Sequence, residues 1–496
     1  MLCAAASWPS DAAQAQATAA ISGNHPAAVP PGWAPAPDNQ AIGLSAVLAL
    51  RNTAQLEQLE NDLQDRHSRN YHKWLTTEEF VARFGPASDQ LSAVAGWLAA
   101  QGFHVTAISQ RTRRVSFTGT AGIIRLALGT SIVTDGSNYV NTSDPIVPAE
   151  LASNIQALLG LSSLPQPPNA GVRSQAASQN SRSLLAQLLS DEIVNGQGPN
   201  FEPSDFYTFY NEVPVMNGGN RGTGAPDCVG LPELGDVTNA EIKKFNKQFK
   251  LPPIALKRIL VNGRNPGLPS DNEPALDVEW VHAVAPNTPI NVYLADSKTP
   301  YLDAITRAVD DNRCGAISSS VEDPCPDAAV LGVYNSELEQ GVVQGQTFFH
   351  SSGDYGANWY CGNVIPIEPI YDQSSCAAVP RDGTGSQPSV DEEAASPFLT
   401  SVGGTQFTPV YLNGFDASLI GDGLETAWNE GKNDGEYCPV KDSSGGGKSV
   451  VFAKPAWQSG LNVPDDSARD VPDISIGADG SAPGFFVYSQ EKEASS

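Results

Sequence analysis

Short apolar runs alternate with helical segments through the second half of the chain, and this alternation constrains the fold more than any other feature. The pairs of apolar run and following helix are Val229–Leu231 with Asn239–Phe249, Ile290–Leu294 with Leu302–Val309, and Ala316–Ser319 with Val333–Gly345. A fourth run, Thr347–His350, enters a glycine-rich loop. Strands that alternate with helices are typical of a mainly parallel sheet flanked by helices. We therefore predict an α/β fold for this half.

The first half has a different pattern, typical of a compact α+β domain. The run from Leu44 to Leu50 alternates like a strand, and leucines at helical spacing follow in Thr53–Asp65. Thr76 is a predicted helix cap, and Ser88–Gln101 is a predicted helix. Further along, the pattern predicts strands over Phe103–Ser109 and Arg113–Thr118 and a helix over Ala121–Leu128.

Composition and periodicity divide the chain into four regions. Residues 1–41 are predicted to be a leader and a Pro/Ala-rich tether, and Ala13-Gln14-Ala15 is typical of a signal-cleavage site, although no basic segment precedes it. Residues 42–164 form the α+β domain. Residues 165–200 lose periodicity and are predicted to be a linker with a processing site. Residues 201–496 form the α/β domain.

Acidic residues dominate the charge of the chain. It has 29 Lys and Arg against 55 Asp and Glu, a net charge of −26, and 41 of the acidic residues follow residue 200. Such a field repels phosphate backbones and anionic lipids, which argues against nucleic-acid and membrane partners. No apolar run reaches the ~20 residues of a membrane-spanning helix. A working pH near the carboxylate pKa of ~4 is one interpretation of the acidity, and a soluble, exported surface is the other.

The cysteines indicate an oxidising compartment. Of seven, Cys3 falls in the predicted leader, and the other six are Cys228, Cys314, Cys325, Cys361, Cys376 and Cys438. An even number fits up to three disulfides, with the pairing left open, and predicts a secreted, extracellular or periplasmic protein. Zinc binding is the alternative, which the absence of any C-x₂-C pair and of flanking histidines disfavours.

Two acidic clusters are candidates for chemistry. Glu273 and Asp277 are four residues apart at the start of a predicted helix, with Pro274 at its first position, so they share a face. Carboxylates this close do not ionise independently, and one has the raised pKa that acid catalysis requires. Asp354 follows a predicted strand, where ligand sites of parallel sheets gather. A solvated first-turn acid and a turn-capping Asp are the respective alternatives.

His282 and His350 are the only histidines after residue 200. A serine–histidine triad would have to use one of them, but imidazole is protonated at low pH and cannot then act as a base. No H-E-x-x-H zinc motif is present. We expect both histidines to be structural.

Taken together, the motifs resemble the sedolisin (kumamolisin-like) family of serine-carboxyl peptidases. Residues 42–150 resemble its activation pro-domain, and residues 205–490 resemble its catalytic domain. The pro-domain motifs are Tyr71–Thr76, Phe80–Gly85, Phe117–Thr120 and Asn141–Pro145. The catalytic-domain motifs are Glu273–Asp277, Ser351–Asp354, Ser401–Thr405 and Arg469–Ser475. The likeness covers most of the chain in the order of the family.

The resemblance implies a subtilisin-like fold and a role for each acid. Glu273 matches the general base that takes the proton of a serine nucleophile, and Asp277 matches the acid that orients it. Asp354 matches the residue that, when protonated, donates to the oxyanion. A carboxyl can act as a base where imidazole would be charged, and a protonated Asp can donate to a developing negative charge.

One departure from the family concerns the nucleophile. The family's Gly-Thr-Ser-x-Ser-x-Pro element would follow the strand that Phe485–Tyr488 resembles, and the chain ends at Ser496 before any such element. No serine is carried over, since Ser481-Ala482-Pro483 is only superficially similar. The calcium loop lies further on, so calcium is expected for the complete family domain and no cofactor for this chain.

Two main hypotheses follow. The first is the zymogen of a secreted, acid-acting serine-type endopeptidase that hydrolyses proteins or peptides, with its pro-domain as intramolecular inhibitor and almost no activity in the chain as written. The second is a catalytically dead binding or inhibitory protein that acts through the pro-domain. A polysaccharide hydrolase is disfavoured because Glu273 and Asp277 lie on one helix and not on opposing walls.

Overall fold

The computed structural model describes most of both halves of the chain. The described residues are 17–26, 29, 32–164, 202–217, 228–269, 272–296, 301–321, 327–354, 356, 390–407, 410–411, 419–421, 425–429, 443–478, 485 and 487–488. They form two units, here called the N-terminal unit (residues 17–164) and the C-terminal unit (residues 202–488).

The N-terminal unit mixes short helices with antiparallel strands, as its pattern predicts. Its strands are β1 (Thr18–Ala20), β2 (Ala34–Pro35), β3 (Ala41–Leu48), β4 (His104–Ser109), β5 (Arg114–Thr120), β6 (Ile132–Thr134), β7 (Tyr139–Asn141), β8 (Ile146–Pro148) and β9 (Ile155–Leu159). Its helices are α1 (Thr53–Gln64), α2 (Thr77–Phe84), α3 (Ser88–Ala100), α4 (Ala121–Leu128) and α5 (Ala149–Ala152). The largest sheet has the order β4-β5-β3-β9.

Local sequence explains these boundaries. The predicted cap at Thr76 is confirmed, because its hydroxyl accepts from the Glu79 amide and the Glu79 carboxylate accepts from the Thr76 amide. The alternating β3 run buries its apolar residues against α3 and α4 in one core.

Residues 17–26 fold onto this unit, which differs from the leader and tether expected there. β1 pairs antiparallel with β8, and Ile21, only 4% exposed, enters the core. β2 likewise pairs with β6. Composition did not indicate this because three-residue strands with one buried anchor leave almost no periodic signal.

The C-terminal unit contains the predicted, mainly parallel sheet flanked by helices. Its strands are β10 (Val229–Glu233), β11 (Leu256–Leu260), β12 (Ile290–Leu294), β13 (Ala316–Ser319), β14 (Thr347–Ser351), β15 (Thr400–Phe407), β16 (Val410–Tyr411), β17 (Leu419–Gly421), β18 (Glu425–Ala427), β19 (Gly447–Ala453), β20 (Ala468–Val471) and β21 (Ile474–Gly477). The parallel strands have the order β11-β12-β10-β13-β14-β15, with β21 also parallel to β15. Edge strand β11 was not predicted, because Lys257 and Arg258 interrupt its apolar pattern.

The helices of this unit connect its strands. They are α6 (Pro203–Phe209), α7 (Val213–Asn217), α8 (Asn239–Gln248), α9 (Glu273–Val284), α10 (Tyr301–Asp311) and α11 (Ala328–Val343). Helix α11 begins five residues before its predicted start. A disulfide joins Cys228 to Cys314, with 4.5 Å between their Cα atoms. The other four candidate cysteines, Cys325, Cys361, Cys376 and Cys438, lie outside the described residues.

The two units pack along helices α10 and α11. Val47 and Ala157 of the N-terminal unit share one apolar core with Tyr301 and Tyr334 of these helices. Polar contacts accompany the core: Arg113 pairs with Glu337 at 2.8 Å, and both side chains are almost fully buried. The N-terminal sheet thus covers α10 and α11. In the described part of the chain, no helix is both long and apolar enough to cross a membrane.

Candidate active site

The carboxyl ends of three neighbouring parallel strands carry polar side chains. Glu233 is the last residue of β10, Ser320 directly follows β13, and Asp354 follows β14 by three residues. Because β10, β13 and β14 are adjacent and parallel, these three residues lie at the same edge of the sheet. This is where an α/β fold places a ligand site.

Helix α9 presents the predicted acidic pair to this edge. The helix begins at Glu273 with Asn272 as its cap, one residue earlier than the predicted arrangement with Pro274 at the first position. Glu273 is only 5% exposed. Asp277 follows one turn later and accepts two contacts from the Ser320 hydroxyl, at 3.1 and 3.0 Å. Asp277 also shares a hydrogen bond with Glu233. Glu233, Asp277 and Ser320 therefore form one cluster, in which Glu233 is buried and the other two residues are half-buried.

Burial sets the protonation of this cluster. Loss of hydration raises the pKa of Asp277 to about 6, although its hydrogen bonds with Glu233 and Ser320 act in the opposite direction. Two carboxyl groups can share a hydrogen bond only when one holds the proton, so the Glu233–Asp277 contact stores a proton at acid pH.

Tyr301 lies close to these carboxyl groups. Its pKa lies well above the ordinary value, because the ring is buried and because Glu233, Glu393 and Asp277 place negative charge nearby. Its hydroxyl contacts the Ser319 hydroxyl at 2.7 Å. Glu393, 3% exposed, therefore lies within electrostatic range of the Tyr301 hydroxyl.

Asp354 lies in a tightly bonded turn. Gly353 has φ = +95°, a conformation that favours glycine, and its carbonyl accepts from the Gly445 amide at 2.6 Å. The Asp354 carbonyl accepts from the Ser443 amide at 3.0 Å. These bonds fix the Asp354 backbone at the sheet edge shared by Glu233 and Ser320.

The sequence analysis did not select Glu233, Ser320 or Glu393 as candidate site residues. A signal existed for Glu233, because it ends the apolar run Val229–Leu231 as an acid at the carboxyl end of a strand, the criterion that selected Asp354. Ser320 directly follows β13, but the segment Ala316–Ser320 contains three serines and one alanine, so its sequence does not single out Ser320. Only the fold brings Glu393 close, since it is 160 residues from Glu233 in sequence.

Both candidate histidines are buried and bond to backbone carbonyls. The His350 ring nitrogen Nδ1 contacts the Ser351 carbonyl at 2.6 Å, and burial lowers the pKa of His350 to about 4. The His282 Nε2 contacts the Pro252 carbonyl at 2.9 Å, and burial lowers its pKa too. Neither is bonded to Glu273 or Asp277 in the described contacts. Their geometry fits structural roles.

No metal-ligand cluster assembles in the part of the chain that the structure describes: no three His, Cys, Asp or Glu side chains converge on one point.

Ser320→Ala is expected to raise the pKa of Asp277 above its value near 6. The serine hydroxyl donates to the charged carboxylate, so removing it disfavours the charged form. Infrared titration of the carboxyl C=O band in the full chain measures this shift. Thr405→Ala, at a hydroxyl bonded to Glu425 elsewhere, is the control and should leave that band unchanged. An unchanged band in Ser320→Ala would contradict the assignment.

Comparison with known proteins matches both units. A family model described as pro-kumamolisin, activation domain, matches residues 33–164. Xanthomonalisin of Xanthomonas sp. (strain T-22) is 26% identical over 489 residues, which cover 91% of this chain and 55% of that protein. Sedolisin of Pseudomonas sp. (strain 101) is 27% identical, covering 89% of this chain and 70% of that protein. Kumamolisin of Bacillus sp. (strain MN-32) is 26% identical, covering 90% and 75%.

A solved structure of Pseudomonas sedolisin, a serine-carboxyl proteinase, aligns with a TM-score of 0.42 at 24% identity, covering 57% of this chain and 77% of that chain. The chain spans little more than half the length of xanthomonalisin. The activation-domain match to the N-terminal unit and the three relatives along about nine tenths of the chain show that this chain is similar to xanthomonalisin, sedolisin and kumamolisin over both of its units.

Proposed function

We propose that the chain is the zymogen of a secreted serine-type endopeptidase that acts at acid pH on proteins or peptides. The observation that carries the proposal is the carboxyl cluster at the sheet edge, in which Asp277 has a pKa near 6 and shares a proton with Glu233. The disulfide between Cys228 and Cys314 supports export to an oxidising compartment.

Three carboxyl groups have distinct roles in this proposal. Glu273 takes the proton of the nucleophile, and Asp277 orients Glu273 and tunes its basicity from one helical turn away. The Glu233–Asp277 hydrogen bond keeps Asp277 in place while protons are exchanged. Asp354, when protonated, donates to the oxygen of the tetrahedral intermediate.

Acid pH favours these roles of the carboxyl groups. Below about pH 6 the Asp277 carboxyl keeps its proton, so it adds no negative charge to a site that is poor in water. Above that pH Asp277 becomes charged, which its hydrogen bonds with Glu233 and Ser320 favour and the loss of hydration opposes, so a negative charge then lies beside the proposed base Glu273. Activity is therefore expected to fall as the pH rises through about 6.

A serine nucleophile and a calcium ion are expected from the family resemblance. No serine of this chain is assigned as nucleophile. A calcium ion is expected from the family resemblance alone, for the complete family domain. No step of the proposed mechanism depends on it.

The covered face of α10 and α11 supports inhibition by the N-terminal unit. In the zymogen this unit would remain docked until cleavage within residues 165–200 releases it. If the chain has no peptidase activity, the same docking surface favours the alternative function, an inhibitor that binds related peptidases through its pro-domain.

If the purified chain cleaves itself within residues 165–200 at about pH 4, Glu273→Gln is expected to abolish that cleavage. Gln cannot accept a proton, so the nucleophile stays unactivated. Mass spectrometry of the fragments measures the cleavage. Glu279→Gln is the matched control: it lies on the same helix and is buried, but it accepts from the Tyr488 amide at 2.8 Å, away from the cluster.

Unchanged cleavage in Glu273→Gln would remove Glu273 from its role. Absence of cleavage in the unmodified chain, combined with inhibition of a related sedolisin-family peptidase by that chain, would favour the inhibitor function.

A further inference from the structure

Residues 22–25 lie outside the matched region 33–164, and the proposed mechanism does not use them. They are here called the latch. The N-terminal unit holds them through Asp144, whose carboxylate accepts from the Gly23 amide at 3.1 Å and the Asn24 amide at 2.7 Å. Strand β1, just before the latch, pairs with β8. The latch is therefore a fixed part of the N-terminal unit.

Asn24 connects the two units. Its side chain is fully buried and its Oδ1 accepts from the Leu158 amide at 2.6 Å, while its Nδ2 donates to the Leu158 carbonyl at 3.1 Å. The same Nδ2 donates to the Asp327 carboxylate of the C-terminal unit at 3.1 Å. A side chain anchored by a strand of one unit thus contacts the residue that precedes α11 in the other.

Gly23 adds a backbone bond at the same place. Its carbonyl accepts from the Ala329 amide at 3.0 Å, and Ala329 is the second residue of α11. The first amides of a helix have no partner within the helix, and a cap side chain usually accepts from one of them. Asp327 occupies the cap position of α11, yet its side chain makes no capping bond. The latch supplies the acceptor in its place.

We propose that the latch is a docking site for the N-terminus of α11 and helps to hold the pro-domain on the peptidase domain. The Gly23 carbonyl caps the helix, and the Asn24 side chain binds the cap residue Asp327. This inference rests on the proposed zymogen function.

Release of the latch involves an exchange of partners. When it leaves, the Asp327 carboxylate loses Asn24 and the Ala329 amide loses the Gly23 carbonyl. Asp327 and the Ala329 amide are in the relative positions of a cap residue and the second helical amide, so the Asp327 side chain can then cap its own helix. The exchange keeps the helix end satisfied in both states, which makes the docking reversible.

The test compares two glycine variants of the full chain, each with a recognition site for a sequence-specific protease inserted in residues 165–200. A Cβ at Gly23 would lie 2.9 Å from the Ala328 Cβ, across the interface. Gly136 also has positive φ, +100° against +72°, but nothing lies within 4 Å of a Cβ there. Gly23→Ala and Gly136→Ala therefore share the backbone strain, and only the first meets the other unit.

After the inserted site is cut, the rate at which the N-terminal fragment leaves the complex is measured by surface plasmon resonance. We expect Gly23→Ala to leave about ten times faster than the unmodified chain, and Gly136→Ala to leave at the unmodified rate. Equal rates for the two variants would overturn the proposal. The measurement needs no peptidase activity, so its failure is distinct from failure of the proposed function.

A second measurement tests the exchange of partners. Hydrogen exchange in the uncut chain reports the first-turn amides of α11. Gly23→Ala alone should change their exchange little, because Asp327 takes over as acceptor, whereas Gly23→Ala combined with Asp327→Ala should exchange much faster. Strand β3 serves as the internal reference for intact folding. Equal exchange in the single and double variants would overturn the partner exchange.

Discussion

Replacing Arg113 with methionine is expected to lower the free energy of unfolding by about 3–5 kcal/mol, the usual cost of leaving one partner of a buried ion pair alone. The Arg113 guanidinium donates to Glu337 at 2.8 Å, to the Leu48 carbonyl at 2.9 Å and to Gln156 at 3.0 Å. The side chains of Arg113 and Glu337 are 1% and 2% exposed. Methionine would leave the Glu337 charge buried between the two units without its partner.

Arg125→Met is the matched control for this prediction. Arg125 pairs with Asp38 in the same N-terminal unit at 2.8 Å, but both side chains are largely exposed. Such pairs contribute less than about 1 kcal/mol. Urea denaturation of the full chain at neutral pH compares the two. Adding Glu337→Met to Arg113→Met should recover part of the loss, because no buried charge is then unpaired. Equal losses for Arg113→Met and Arg125→Met would contradict the buried-pair account.

Glu339→Gln is expected to stabilise the chain at pH 8 by about 1–2 kcal/mol and to leave its stability at pH 4 nearly unchanged. Glu60 of the N-terminal unit and Glu339 of α11 share a hydrogen bond across the interface. Burial, followed by this bond and by the charges of Glu339 and Glu57, raises the pKa of Glu60 from 4.5 to about 9. Burial also raises the pKa of Glu339, against the effect of Arg113.

The direction of the pH effect follows from linkage. A carboxyl whose pKa is raised by folding binds its proton more tightly in the folded state, so its contribution is fully present below pH 4.5 and is lost as the pH rises towards 9. The Gln amide donates to Glu60 at every pH and removes the part of this loss that the second carboxyl causes, while the part caused by burial remains. The expected stabilisation is well below the free energy that the full pKa shift of Glu60 would imply, because the pair is only partly buried and solvent screens its charges.

Thermal or urea unfolding at pH 4 and pH 8 measures this effect. Glu60→Gln serves as an independent check, since an amide on either side of the contact replaces the shared proton. A stabilisation of the same size at both pH values, or none at pH 8, would show that the pair does not share a proton at this interface.

Much of the fold could be predicted from periodicity. Helix α4 and strands β12 and β13 occur at the predicted residues, because their apolar patterns and flanking turns are local signals. Strand β11 and the pairing of β1 with β8 could not be predicted. The first is an edge strand with basic residues, and the second depends on a partner more than a hundred residues away.

The candidate site divides in a similar way. The sequence alone determined that Glu273 and Asp277 share one helix face and that Asp354 follows a strand, because helical period and strand ends are properties of the local chain. Only the tertiary structure decided that Asp277 contacts Glu233 and Ser320, and that Glu60 meets Glu339 and Arg113 meets Glu337. Whether a carboxyl keeps its proton depends on how much water is excluded around it and on which charges lie nearby. Both are determined by segments that are distant in sequence, so they are fixed only when the chain has packed.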